Sequence, residues 1–198
     1  MKPAAHTFAA VALGLILASA PASAAEWRIE VDPLRANVTF TLKATMHSVH
    51  GTAAATSGRF SVDPDTGAAS GEIVIDATSA KTGNGSRDKK MHRKVLVTAD
   101  NPRIVLRIRS LEGHLALEGA SEVTLHGEIE ILGQPHEIAI PLQVEIDGED
   151  FTAHAGFEIP YVEWGLKDPS TFVLRVAKEV QVVIEAEGTI IVTDEPKG

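Results

Sequence analysis

EVTLHGEIEILGQPHEIAIPLQVEI, residues 122–146, reads as two strands joined by a turn. Val123, Leu125, Ile129 and Ile131 alternate with Glu122, Thr124, Glu128 and Glu130. Beyond LGQP at 132–135, Ile138, Ile140, Leu142, Val144 and Ile146 oppose Glu137, Gln143 and Glu145. Successive side chains of a strand point to opposite faces, so each run carries one apolar and one charged face. Pro141 falls on the outer face, where it would interrupt a ladder or mark a bulge.

The same period of two recurs along the chain. Val38, Phe40 and Leu42 alternate with Asn37, Thr39, Thr41 and Lys43; Ile73 and Ile75 with Glu72, Val74 and Asp76; Ile104, Leu106 and Ile108 with charged or branched neighbours. Phe151, Phe157, Ile159 and Tyr161 continue it, followed by Phe172, Leu174 and Val176 and then Val180, Val182, Ile184 and Ala186. Turn signals at DPDTG (63–67), LEGHLALEG (111–119), LGQP and DGED (147–150) separate the runs.

Strands of this kind pack as a sandwich or close as a barrel. Helical crossovers are missing, which excludes a parallel sheet. An outer-membrane barrel would turn its apolar set outward, but the charged set here is rich in Glu, Arg and Lys, so the apolar set faces an interior. Mostly short connections favour the barrel. The expected fold is all-β, an antiparallel up-and-down barrel of about eight strands.

Lys2, the apolar run Phe8 to Ala18, Pro21 and the triplet Ala22-Ser23-Ala24 form a cleavable secretory signal over residues 1–24. The apolar run is too short for the roughly 20 residues of a spanning helix, so no stable membrane insertion is expected. Residues 25–198 suit a single domain with a periplasmic or secreted destination. The formal net charge of −9 argues against nucleic acid as a partner. There are no cysteines, so neither disulfides nor thiolate chemistry are available.

TGNGSRDKKMH, residues 82–92, breaks the strand pattern. Gly83 and Gly85 end a strand, Ser86 caps a helix from about Arg87 to Val97, and Asp88 suits the positive end of its dipole. Met91 and Val95 share one face, and Asn101-Pro102 stops the helix before the next strand. Such a helix would close one end of the barrel. Arg87 and Asp88 either meet a polar headgroup or anchor the helix by ion pairing.

These segments taken in order resemble the YceI-like family of secreted, polyisoprenoid-binding, lipocalin-like proteins. The resemblance rests on VTFTLKATMHSVHGTAAATSGRFSVDPDTG, GEIVIDATSAKTGNGSRDKKMH, NPRIVLRI, LHGEIEILGQPHEIAIPLQVEI and VEWGLKD. The Arg87-Asp88 pair with Met91 is similar to the family's Arg-Asp-x-x-hydrophobic helix start. Asn101 and VEWGLKDPS depart from the family's commoner residues, at places that shape the cavity mouth. The resemblance implies a carrier or store for a long apolar chain, an isoprenoid or fatty-acyl lipid, with no cofactor beyond it. A homodimer is a possible assembly.

Composition alone favours side chains filling the barrel, and the resemblance reverses that balance toward a ligand. The lining candidates are Val38, Phe40, Leu42, Phe60, Ile73, Ile75, Met91, Leu106, Ile108, Ile129, Ile140, Phe157, Ile159 and Trp164. Met91 is attractive for its flexible thioether. Metal ligation is not expected: His47 and His50 are three apart and His92, His126, His136 and His154 are scattered, which suits surface or cavity-rim hydrogen bonding. No serine sits in a nucleophile elbow, and no catalytic residue is expected. Two other readings stay open, a small exported metal-assisted enzyme on the same barrel and a filled barrel that docks a membrane redox or transport partner.

Overall fold

The computed structural model describes residues 26–193 apart from Met46 and Val173. The signal segment at 1–24 lies outside the described residues. Nine strands form one antiparallel sheet: β1 (Glu26–Val31), β2 (Asn37–Leu42), β3 (Val49–Val62), β4 (Ala68–Lys81), β5 (Arg103–Gly113), β6 (Gly119–Ile131), β7 (Gln134–Asp147), β8 (Asp150–Ile159) and β9 (Val180–Thr193). One helix, α1 (Gly85–Lys94), joins β4 to β5.

The nine strands make eight staves. β1 pairs the C-terminal part of β3 and β2 its N-terminal part, and both also pair β9, so β1 and β2 occupy one position in the wall. Pro33 splits that stave, because it cannot donate to a ladder. A single 3-10 turn, Pro33–Arg35, is capped by Asp32, whose carboxylate accepts from Leu34 N at 2.9 Å. From β3 onward each strand pairs the next, and β9 closes on the split stave. The expected up-and-down barrel is the observed one.

The hairpins follow local chemistry. Leu132 and Gly133 have φ of 53° and 72°, the doubly positive turn whose twist matches that of its strands, and glycine takes the second place without strain. This two-residue turn makes Ile131 and Gln134 the closing bonded pair, so odd-numbered β7 residues aim their N–H toward β8. The β7–β8 register runs from Asp147↔Asp150 to Leu142↔Ala155 and stops. The next bonded pair would be Pro141 with Gly156, and Pro141 has no N–H to give. Pro141 thus leaves the β6–β7 ladder intact and ends the β7–β8 ladder.

Beyond that point β7 continues to Gln134 paired with β6 alone, and β8 continues to Ile159 paired with β9 alone. A seam therefore opens in the wall between residues 134–141 and 156–159.

The apolar faces point inward. A continuous core runs from Trp27, Val62, Val123, Ile146, Phe151 and Ile190 at one end, through Ile108, Ile129 and Ile140, to Ile131, Tyr161 and Leu166 at the other. Ile140, at 1% exposure, is its most enclosed large side chain among the described residues. Outside, Arg107 meets Glu130 and Arg109 meets Glu128, each at 2.7 Å, and Arg59 meets Glu30 at 2.6 Å. These exposed pairs are screened by solvent and add little to stability.

Two expectations need correction. The helix begins two residues earlier than expected and ends at Lys94, and its cap is Asn84, not Ser86. Asn84 has extended backbone and its side-chain oxygen accepts from Arg87 N at 3.1 Å, whereas Ser86 already lies within the first turn. The run Phe172, Leu174, Val176 is not a strand. Its one ladder contact is a bridge from Val176 to Ala44, and Phe172 is 96% exposed. Hydrogen bonds from Leu174 N to Thr171 Oγ1 and from Val176 N to Ser170 Oγ tie it into a loop instead.

Candidate ligand-binding interior

Helix α1 and the loop 160–179 lie at the same end of the barrel, called here the helix end. The Thr82 turn holds the helix there. Arg87 donates from Nε to Thr82 Oγ1 at 2.7 Å and from Nη2 to Thr82 O at 2.9 Å. The Asp88 carboxylate accepts from Thr82 N at 3.0 Å and from its hydroxyl. Both residues thus close on one threonine. His92 Nε2 donates to Ala80 O at 2.8 Å, which leaves Nδ1 as the acceptor facing the Thr98 hydroxyl. Val95 and Leu96, just beyond the helix, pack against the core.

The loop is tied down as firmly. Tyr161 donates to Ala177 O at 2.8 Å, and burial, with Asp168 and Glu179 nearby, pushes its phenol up to about 12. Lys178 and Ser170 hold the Asp168 carboxyl well below the usual carboxylate range. Lys90, Lys94, Lys167 and Asp168 border a cleft of about 210 Å³ where helix meets loop.

The strand candidates all face inward, but they do not form one packed set. Leu106, Ile108, Ile129 and Ile140 belong to the core, and Leu42, Phe60, Ile73, Phe157, Ile159 and Trp164 pack on it. Val38 is buried yet outside that cluster, as are the half-buried Phe40, Ile75 and Met91. These four lie on β2, β4 and α1.

Facing the same side of the interior is a wall that sequence reading missed. Gly51, Ala53 and Ala55 on β3 share the inward face with Phe40 and Val38, through the pairs Phe40↔Gly51 and Val38↔Ala53. Ala77 and Ala80 on β4 extend it; with Ala55 they are buried without joining the continuous core. A side chain at Gly51 would overlap the Phe40 ring, so the absent Cβ lets that ring lie flat against the wall. An eight-stave barrel is just wide enough to be filled by its side chains or to hold one small ligand. Small residues on one wall are what such a barrel needs to leave room.

The larger surface concavity is elsewhere. A groove of about 730 Å³ on the outer face of the wall is bordered by Glu122, Glu145, Glu185 and Glu187 together with His154 and Arg35. Its carboxylates suit water rather than an apolar chain. Among the described residues no group of three His, Asp or Glu is placed to hold a metal ion. His126 pairs with Glu112 at 2.8 Å and His50 Nδ1 with Thr41 Oγ1 at 3.0 Å, both on the surface.

His136 differs from the surface or rim role expected of it. It shares the inward face of β7 with Ile138 and Ile140, stacks on Trp164 with ring centroids 4.4 Å apart and planes 3° apart, and buries an Nε2 that has no partner. No helix of the described residues is long and apolar enough to cross a membrane.

A closed antiparallel barrel with an apolar interior, charged exterior and one capping helix defines a lipocalin-like protein. The YceI-like domain matches residues 29–188, and the chain belongs to that family. A polyisoprenoid binding domain from Saccharophagus degradans, implicated in plant cell wall breakdown, superposes with a TM-score of 0.66 at 16% identity, over 81% of this chain and 97% of that one. Burkholderia cenocepacia BcnA superposes with a TM-score of 0.66 at 20% identity, over 80% and 99%. The YCEI protein of Campylobacter jejuni gives 0.52 at 15% identity, over 77% and 85%. No curated protein matches the sequence.

Proposed function

We propose that this chain is an exported carrier or store that shelters a long apolar chain, of polyisoprenoid or fatty-acyl type, inside the barrel. The small-residue wall of Gly51, Ala53, Ala55, Ala77 and Ala80, opposite a packed core, is the observation that carries the reading. Membership of the YceI-like family and the likeness to a polyisoprenoid binding domain support it. Affinity would come from apolar area removed from water, at about 25 cal/mol per Å² before the entropy of association is subtracted.

Export is inferred from the signal expected at residues 1–24, and the mature domain, 25–198, would then work in the periplasm or outside the cell. Val38, Phe40, Ile75 and Met91 would touch the ligand, while the candidates within the core would mainly support it. Arg87 and Asp88 serve as helix anchors in this reading, and no residue has a catalytic role.

Native mass spectrometry of protein purified from its own host tests the proposal. The expected spectrum contains a co-purified lipid that denaturation releases. A ligand-free spectrum, together with failure to bind a fluorescent fatty acid or a polyprenol probe, would refute it.

A further inference from the structure

The seam between β7 and β8 is a built feature. Pro141 ends the ladder at Leu142↔Ala155, so residues 134–141 and 156–159 face one another without pairing. The turn that continues β8 brings Trp164 across to β7, where its ring stacks on His136. Ile138, Phe157 and Ile159 are packed on the core beside it. The stacked imidazole carries the buried His136 Nε2, the one buried side-chain polar atom among the described residues without a hydrogen-bond partner.

Leaving a buried polar group unpaired costs about 1–3 kcal/mol. An apolar residue would stack on Trp164 at no such cost, so the imidazole is explained by a partner that arrives with something else. Resting on the lipid-carrier reading, we propose that His136 Nε2, on the inner side of the β7–β8 seam and covered by Trp164, hydrogen-bonds an uncharged oxygen function, a hydroxyl or carbonyl, at the polar end of the bound apolar chain. A charged end is disfavoured, because an anion beside this ring would require a buried imidazolium as its partner, and burying both charges is costly. The chain would then run from the seam toward the small-residue wall across the interior.

Binding of hexadecanol, hexadecane and hexadecanoate to wild-type protein and to His136→Phe tests the site. The phenyl ring keeps the stack on Trp164 and removes the nitrogen. The expected result is a three- to tenfold loss of affinity for the alcohol in His136→Phe, about the worth of one neutral hydrogen bond, with hexadecane unchanged. In the wild-type protein the imidazole nitrogen resonance of His136 should shift with hexadecanol and stay put with hexadecane, a readout that needs no variant.

Equal affinity changes for alcohol and hydrocarbon, or a resonance that ignores the alcohol, would overturn the polar-end site while leaving the carrier reading in place. Tighter binding of the carboxylate that depends on His136 would overturn the uncharged assignment. If no probe bound the wild-type protein, the carrier reading and this site would fall together.

Discussion

The two ends of the barrel are built from the same strands and use them differently. At the end away from α1, Trp27, Val62, Leu111, Val123, Ile146, Phe151 and Ile190 close the interior with large side chains. At the helix end the β3 and β4 staves offer glycine and alanine, the β7–β8 ladder stops, and the opening is covered by α1 and the loop 160–179. Stability is concentrated where the sheet is fully paired and filled. The loosened end depends on attachments, chiefly Thr82 with Arg87 and Asp88, and Tyr161 with Ala177. Local opening is cheapest where few apolar contacts and many tethering hydrogen bonds hold a segment, so on the proposed carrier reading this is the end that would admit the ligand.

The contrast is broken or sharpened by substitution. Phe151→Ala, at the filled end, should cost about 3–5 kcal/mol in urea unfolding, since a large buried ring leaves a cavity that the paired sheet cannot collapse into. A cost under about 1 kcal/mol would mean that this end is not the anchor of the fold.

Asp88→Ala should be milder and local. Removing the acceptor of both Thr82 donors is worth about 1–2 kcal/mol. Amide hydrogen exchange should accelerate across Gly85–Lys94 while β6 and β7 keep their protection. Uniform acceleration would show that the helix is part of the global core.

On the carrier reading, Ala55→Leu should change unfolding stability by less than about 1 kcal/mol and yet reduce lipid capacity, because the added side chain would take up room that the small wall leaves for the ligand. A destabilisation near 3 kcal/mol would show that wall to be packed, and the two ends to be alike.

The smallest effect is confined to high pH. Tyr161, the sole tyrosine of the chain, has its phenol raised to about 12 by burial and neighbouring carboxylates. Its neutral form is favoured by folding, so its contribution is fully present below the ordinary tyrosine value near 10 and is lost as pH rises from there toward 12. Tyrosinate absorbance should titrate near 12 in the folded protein and near 10 in urea; coincident titrations would remove the buried tether at Ala177.

Legibility followed side-chain contrast. Strands such as β6 and β7 alternate large apolar with charged residues, so their faces could be read directly. β1, with Trp27, Ile29 and Val31, went unread despite such alternation, because Pro33 cuts its stave in two. β3 carries VHGTAAATSG, whose inward glycine and alanines contrast little with its threonines and serines, and it hid the wall that matters most to the interior. Asn84 displaced Ser86 as cap by one fact of backbone conformation. Phe172, Leu174 and Val176 alternate like a strand, but of these three only Val176 finds a partner across a ladder.

By itself, the sequence determined that this protein is an all-β barrel with an apolar inside and a charged outside, since period-two contrast is a local property of each strand. It also located the helix and the family. Tertiary structure alone decided that β1 and β2 share one stave, that Pro141 ends a ladder with β8 in particular, and that His136 meets Trp164 with one of its ring nitrogens buried and unpaired. Those outcomes depend on register between segments far apart in the chain, where a one-residue shift would turn every side chain to the other face.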